Sequence, residues 1–117
     1  MAVSSKPERV LARAKNLLAN RGWTQGVFAR DKNGREVSAG DSKATRFCIN
    51  GAIDRACRGI KNGSARAAAW SKAADAVQRA VPKPFGAVGY NDATGRKRKE
   101  MIALLDEAIK LAKAGQL

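Results

Sequence analysis

The sequence predicts a mainly α-helical fold: one compact domain of four helices, with a small β-hairpin between helices one and two, in the order α-β-β-α-α-α. Three observations predict it. The chain is 44% hydrophobic but holds only six aromatic residues, so its apolar mass is Ala, Val, Leu and Ile, which suits packed helices better than a sandwich. Apolar residues recur every three or four positions through most of the chain, the period of a helix face. An Asn33-Gly34 step between β-compatible runs marks a hairpin. At 117 residues the chain fits a single domain spanning 1–117, with residues 1–4 expected to be disordered.

Helix one is expected from about Lys6 to Asn20. Ser5-Lys6-Pro7-Glu8 has the form of a capping box with Pro near the first helical position. Val10, Leu11, Ala14, Leu17 and Leu18 then make one face, and Gly22 supplies a stop that could turn left-handed. The run Trp23 to Asp31 and the run Glu36 to Ser38 form the two arms of the hairpin around Lys32-Asn33-Gly34-Arg35. Asp41 or Ser42 caps helix two, expected over about Lys43 to Ile60. Cys48, Ile49, Ala52, Ile53, Ala56, Cys57 and Ile60 give it an apolar arc wide enough for a central position. Gly51 lies mid-helix, where it costs about 1 kcal/mol against Ala; a close helix crossing accounts for it, or backbone access for a ligand. Ser64 caps helix three, about Ala65 to Ala80, whose apolar face is Trp70, Ala73, Ala74, Val77 and Ala80. Pro82 and Pro84 end it. Val81 to Ala93 reads as a loop. Helix four starts near Asp92 or Thr94 and runs to about Ala114, with Met101, Leu104, Leu105, Ala108, Ile109 and Ala112 facing the core.

The net charge is +13, from 23 Lys and Arg against 10 Asp and Glu. Residues 1–30 contribute +5 and each later quarter +2 or +3, so the excess belongs to the folded chain and not to a basic tail. Such a balance favours contact with polyanions. The expected function is therefore binding of nucleic acid, DNA or RNA, mainly through phosphates. The candidate anion-binding residues are Arg30 with Lys32 and Arg35 around the hairpin turn, Lys43, Arg46, Arg58 and Lys61 on the polar side of helix two, and Arg96, Lys97, Arg98 and Lys99. That last run opens helix four, where four cations oppose the helix dipole and a bound phosphate would reverse the penalty. Asp54 is expected to pair with Arg58 one turn on. Zinc-finger, RNA-recognition and basic-zipper signatures do not occur.

Two further readings stand beside this one. A small, highly charged chain could be a phage or mobile-element modulator that binds an acidic surface of a host protein complex and inhibits it. A nucleotide or small-molecule pocket near Trp23 and Tyr90 is the other. No enzyme is expected, because the absence of His removes the usual general base near neutral pH, and no catalytic residue is assigned. Cys48 and Cys57, about 13 Å apart if on one helix, cannot bridge and read as buried thiols of a reducing cytosol. No metal and no cofactor are expected. The opening residues lack a signal peptide's apolar run and no stretch is long enough to cross a membrane, so a cytoplasmic protein with no membrane partner is expected.

From Gly22-Trp23-Thr24-Gln25 onward the chain resembles a family of small uncharacterised bacterial and phage proteins. The resembling pieces continue with Phe28-Ala29-Arg30-Asp31 and Gly34, then Phe47-Cys48-Ile49-Asn50-Gly51-Ala52-Ile53. Tyr90-Asn91-Asp92 with Arg96 and Leu104-Leu105-Asp106-Glu107-Ala108-Ile109 complete them. The resemblance covers most of the chain and implies a shared fold and no particular activity. It directs attention to Arg30, Asp31, Asn91, Asp92 and Arg96, which are expected to converge as a polar cluster on one side of helix two. Set against that, Asp92 would cap helix four, Asp31 would make an Asx-turn and Trp23 would fill the core.

Overall fold

A computed structural model describes residues 3–115, so Met1 and Ala2 of the segment expected to be disordered lie outside the described residues. The fold is mainly helical, with a small antiparallel sheet between the first two long helices, as the patterning predicts. The elements are α1 (Pro7–Asn20), β1 (Ala29–Arg30), β2 (Glu36–Val37), β3 (Arg46–Phe47), α2 (Ile49–Cys57), α3 (Gly63–Ala80), α4 (Ala87–Asp92) and α5 (Arg98–Lys113). At 21 Å the shortest dimension is about two helix diameters, so the domain is two layers thick.

α1 is the spine. It packs against α5, α2 and α3, burying Val10, Leu11, Ala14 and Leu18 completely. Its start differs from the expected capping box: Lys6 is the N-cap and makes no side-chain cap, while its own N–H donates to Ser4 Oγ. Pro7 at the first position needs no donor partner and carries the start instead. Val3 lies against Gly59, and the Ser4 carbonyl accepts from Arg13 Nη2 at 2.7 Å.

Helix two is shorter than expected. Lys43 to Cys48 leave it to form a turn and β3, so α2 begins at Ile49. The Phe47 backbone explains why: its N–H donates to Gly22 O and its carbonyl accepts from Thr24 N–H, partners that only the folded chain supplies. The predicted arc is otherwise correct, with Ile49, Ala52, Ile53, Ala56, Cys57 and Ile60 buried. Cys48 caps the helix, its sulfur accepting the Gly51 N–H at 3.3 Å. Gly51 meets the backbone just before β1 and not a helix. A Cβ there would overlap the Phe28 carbonyl oxygen, which itself accepts the Cys48 N–H.

The hairpin forms where Asn33-Gly34 marks it, and it gains a third strand. β1 is central, in the order β2-β1-β3. Ala29 stands opposite Val37 on one side and Phe47 on the other, and Arg30 opposite Glu36 and Arg46. Ala29 and Phe47 face the core and are fully buried, so alternation sends Arg30, Glu36 and Arg46 to the outer face.

α3 is capped by Asn62, whose Oδ1 accepts from Ala65 N–H at 2.9 Å, and not by Ser64. Its buried face is Ala69, Ala73, Ala76 and Val77, with Trp70 half-buried at the margin. The stretch Val81 to Ala93 is not all loop, because Ala87–Asp92 closes into α4. Its first N–H donates to Gln78 Oε1 of α3, and Asn91 anchors its end. α5 therefore begins at Arg98, later than expected, and buries Met101, Leu104, Leu105, Ala108 and Ala112. No helix is long and apolar enough to cross a membrane among the described residues.

Candidate functional site

Asn91 is the structural knot of the polar residues the sequence singles out. Its side chain is completely buried. Oδ1 accepts from Trp23 Nε1 at 2.8 Å and from the Ile49 N–H at 3.0 Å. Nδ2 donates to Thr24 O at 3.2 Å and to Asp92 Oδ1 at 2.8 Å. The same Asp92 oxygen accepts the Gly26 N–H, and Gln25 Nε2 donates to the carbonyls of Asn91 and Ala93. One buried amide thus joins α4, the first turn of α2 and the segment Trp23–Gly26. Asp92 caps no helix. It holds this segment instead.

Arg30 reaches the same segment from the sheet. Its Nε donates to Thr24 Oγ1 at 2.9 Å, Nη2 to Gln25 O and Nη1 to Gly34 O. Asp31 turns away and serves its own turn, its Oδ1 accepting from the N–H groups of Asn33 and Arg35. Arg96 lies elsewhere. It stacks 3.6 Å over the Tyr90 ring, donates to Tyr90 O and pairs with Glu100 at 3.0 Å. Of the five residues expected to converge, Arg30, Asn91 and Asp92 share one network through Thr24 and Gln25, while Asp31 and Arg96 do not. The Trp23 and Tyr90 rings are likewise held separately, one by Asn91 and the other beneath Arg96.

The Arg35 N–H, then that of Asn33, with the positive charges of Arg35 and Lys43, outweigh burial and hold the Asp31 carboxyl below its ordinary range. A depressed carboxylate stabilises the fold above its unfolded value and loses that contribution as pH falls through the folded one. The stability gap between the natural chain and Asp31→Asn is therefore expected to be full near neutral pH and to close below about pH 4. Thermal melts across that range check it, and a gap that widens in acid would refute the assignment.

The outer face of the sheet gathers cations. Arg30 and Arg46 are direct cross-strand partners, an arrangement of like charges that disfavours the sheet. Both heads converge on the turn glycine: Arg30 Nη1 donates to Gly34 O at 3.0 Å, and Arg46 Nη2 lies 3.7 Å from where a Gly34 Cβ would stand. The Arg46 stem lies along Gly22. Lys43, close enough to Asp31 to act on its charge, and the exposed Lys32 and Arg35 complete the group. Among the described residues none of these five forms an ion pair, although Glu36 stands opposite Arg30.

The cations predicted for helix two do not form one helix side. Arg46 and Lys43 lie before α2 and not on it. Arg58, just past its end, pairs with Asp54 at 3.4 Å as expected, and Lys61 is exposed in the turn to α3. Arg96 is occupied by Tyr90 and Glu100, leaving Lys97, Arg98 and Lys99 exposed at the start of α5. Glu100 offsets them there, accepting the Lys97 N–H at 2.8 Å. Cys48 and Cys57 are unbridged and buried, and burial pushes both thiols up, the mark of unreactive core sulfur. Sequence reasoning missed Arg21, because its partner Ala44 O lies 23 residues on.

Comparison with curated proteins and with solved structures finds no match. Residues 3–111 match the model of the family of unknown function DUF6197. With nearly its whole length covered, the chain belongs to that family.

Proposed function

We propose that this protein binds nucleic acid through its phosphates, on the outer face of the three-stranded sheet. One observation carries the reading: Arg30 and Arg46 stand opposite each other in register, their heads gathered over one turn without an ion-pairing carboxylate among the described residues. Lys43 and Arg35 extend the row. Side-by-side cations are disfavoured on a bare sheet, and a phosphate between them converts repulsion into paired charge-assisted hydrogen bonds. Arg30 is rigidly held by three carbonyl and hydroxyl oxygens, whereas Arg46 has all its donors available among the described residues, so Arg46 is the residue that contacts phosphate most directly.

Titration of duplex and single-stranded DNA and of RNA at several salt concentrations tests this. Affinity should fall steeply and linearly on a log–log plot, and Arg46→Gln should weaken binding to all sequences alike and reduce the slope by about 1. Affinity independent of salt, or an Arg46→Gln chain that binds like the natural one, would refute it.

A second reading, a modulator that docks on a host protein, is favoured by a different surface. Phe28 and Val88 are 49% and 52% exposed and rim a cavity of about 70 Å³ over Cys48 and Ile49. Exposed large apolar side chains grouped in this way mark docking sites. Capture of one defined host protein after nuclease treatment, abolished by Phe28→Ser, would favour this reading over the first. Capture lost on nuclease treatment would remove it.

A further inference from the structure

Where α1 and α2 pack together, they leave an open recess of about 420 Å³. Arg13, Asn16, Leu17 and Asn20 of α1, Arg21 just beyond it and Arg55 of α2 line it, and no carboxylate does. Each arginine is held by main-chain carbonyls. Arg13 donates from Nε to Ala56 O and from Nη2 to Ser4 O. Arg21 donates from Nη1 to Ala44 O. Arg55 donates from Nη1 to both Ala39 O and Asp41 O at 2.8 Å, with its guanidinium over the Phe47 ring.

A carbonyl fixes a guanidinium in place without cancelling its charge. Among the described residues, Arg13 Nη1 and the Nε and Nη2 groups of Arg21 and Arg55 have no protein partner. The recess therefore presents three oriented cations and two side-chain amides around an apolar floor. Burial pushes the Arg13 guanidinium below its ordinary value, a penalty that a neighbouring anion relieves.

We infer that this recess binds a small organic phosphate, its phosphoryl oxygens held by Arg13, Arg21 and Arg55 and its organic body against Leu17. A phosphate monoester carries close to two negative charges and three acceptor oxygens near neutral pH. Three forks suit it better than a monocarboxylate, with one charge and two oxygens. The volume lies within the roughly 300–1,000 Å³ of small-molecule sites and leaves room beyond the phosphate for a ring or short chain. This place is distinct from the neighbourhood of Trp23 and Tyr90, whose rings are already engaged.

Calorimetric titration of the full chain with phenyl phosphate, inorganic phosphate, benzoate and phenol tests the inference. Phenyl phosphate should bind saturably at one site, more tightly than inorganic phosphate or benzoate, and phenol should not bind. Arg55→Gln should weaken phenyl phosphate about tenfold or more, the loss of a charge-assisted pair. Arg21→Gln, at an exposed helix end that tolerates change, should do the same and serves where Arg55→Gln does not fold. No saturable binding of phenyl phosphate, unchanged binding in Arg21→Gln, or benzoate binding as tightly as phenyl phosphate would overturn it.

Discussion

Asn91→Leu is expected to destabilise the domain by about 3–5 kcal/mol, although leucine branches at the same atom as asparagine and the position is completely buried. Apolar burial at a core site normally helps. Here the substitution strips the acceptor from two donors at once, the Trp23 indole N–H and the Ile49 backbone N–H. Each donor left dry costs about 1–3 kcal/mol. Thr24 O and Asp92 Oδ1 each lose one donor as well. The Ile49 N–H belongs to the first turn of α2, so the loss falls on the central helix and not only on α4. Urea unfolding measures it. A change below about 1 kcal/mol would mean that water enters and replaces the amide, and that Asn91 does not organise the junction.

Gly51→Ala should also destabilise, by about 2 kcal/mol or more, reversing the sign that helix propensity assigns. In an isolated helix alanine gains about 1 kcal/mol over glycine. In this fold the new Cβ would overlap the Phe28 carbonyl oxygen and sit 2.8 Å from its carbon. Those atoms are backbone, tied to Cys48 by a hydrogen bond, so they cannot rotate out of the way as a side chain would. α2 must move from the Phe28 backbone at the usual overpacking cost of about 1–3 kcal/mol or more. A lower midpoint in denaturant with an unchanged slope is the expected result, and a stabilised variant would refute the contact.

Both predictions concern the same junction, where α2, α4 and the segment before the sheet meet. That junction also sets the proposed interface. Asn91 and Gln25 position the segment Trp23–Gly26, whose Thr24 hydroxyl and Gln25 carbonyl hold Arg30. Arg30 in turn shares the Gly34 turn with Arg46. The charge surface is thus built on main-chain oxygens rather than on opposing carboxylates, which fixes the cations and leaves their charge uncancelled. The recess between α1 and α2 follows the same plan with Arg13, Arg21 and Arg55.

The sequence by itself determined the fold class, the spans of α1 and α3 to within about two residues, the core face of α5, the hairpin turn and the Asp54–Arg58 pair. Each rests on a local rule: a 3.6-residue apolar period, a Pro or Gly at a terminus, an Asn-Gly turn, a four-residue charge spacing. The tertiary structure decided the rest. β3 forms because Phe47 finds its partners in Gly22 and Thr24, and α4 forms in a weak helical stretch because Gln78 and a buried Asn91 hold its two ends. The net charge of +13 is spread along the whole sequence, and only β3 brings Arg46 opposite Arg30. The reason is range: periodicity and capping act within a few residues, whereas these contacts join positions separated by tens of residues, whose pairing is fixed by packing.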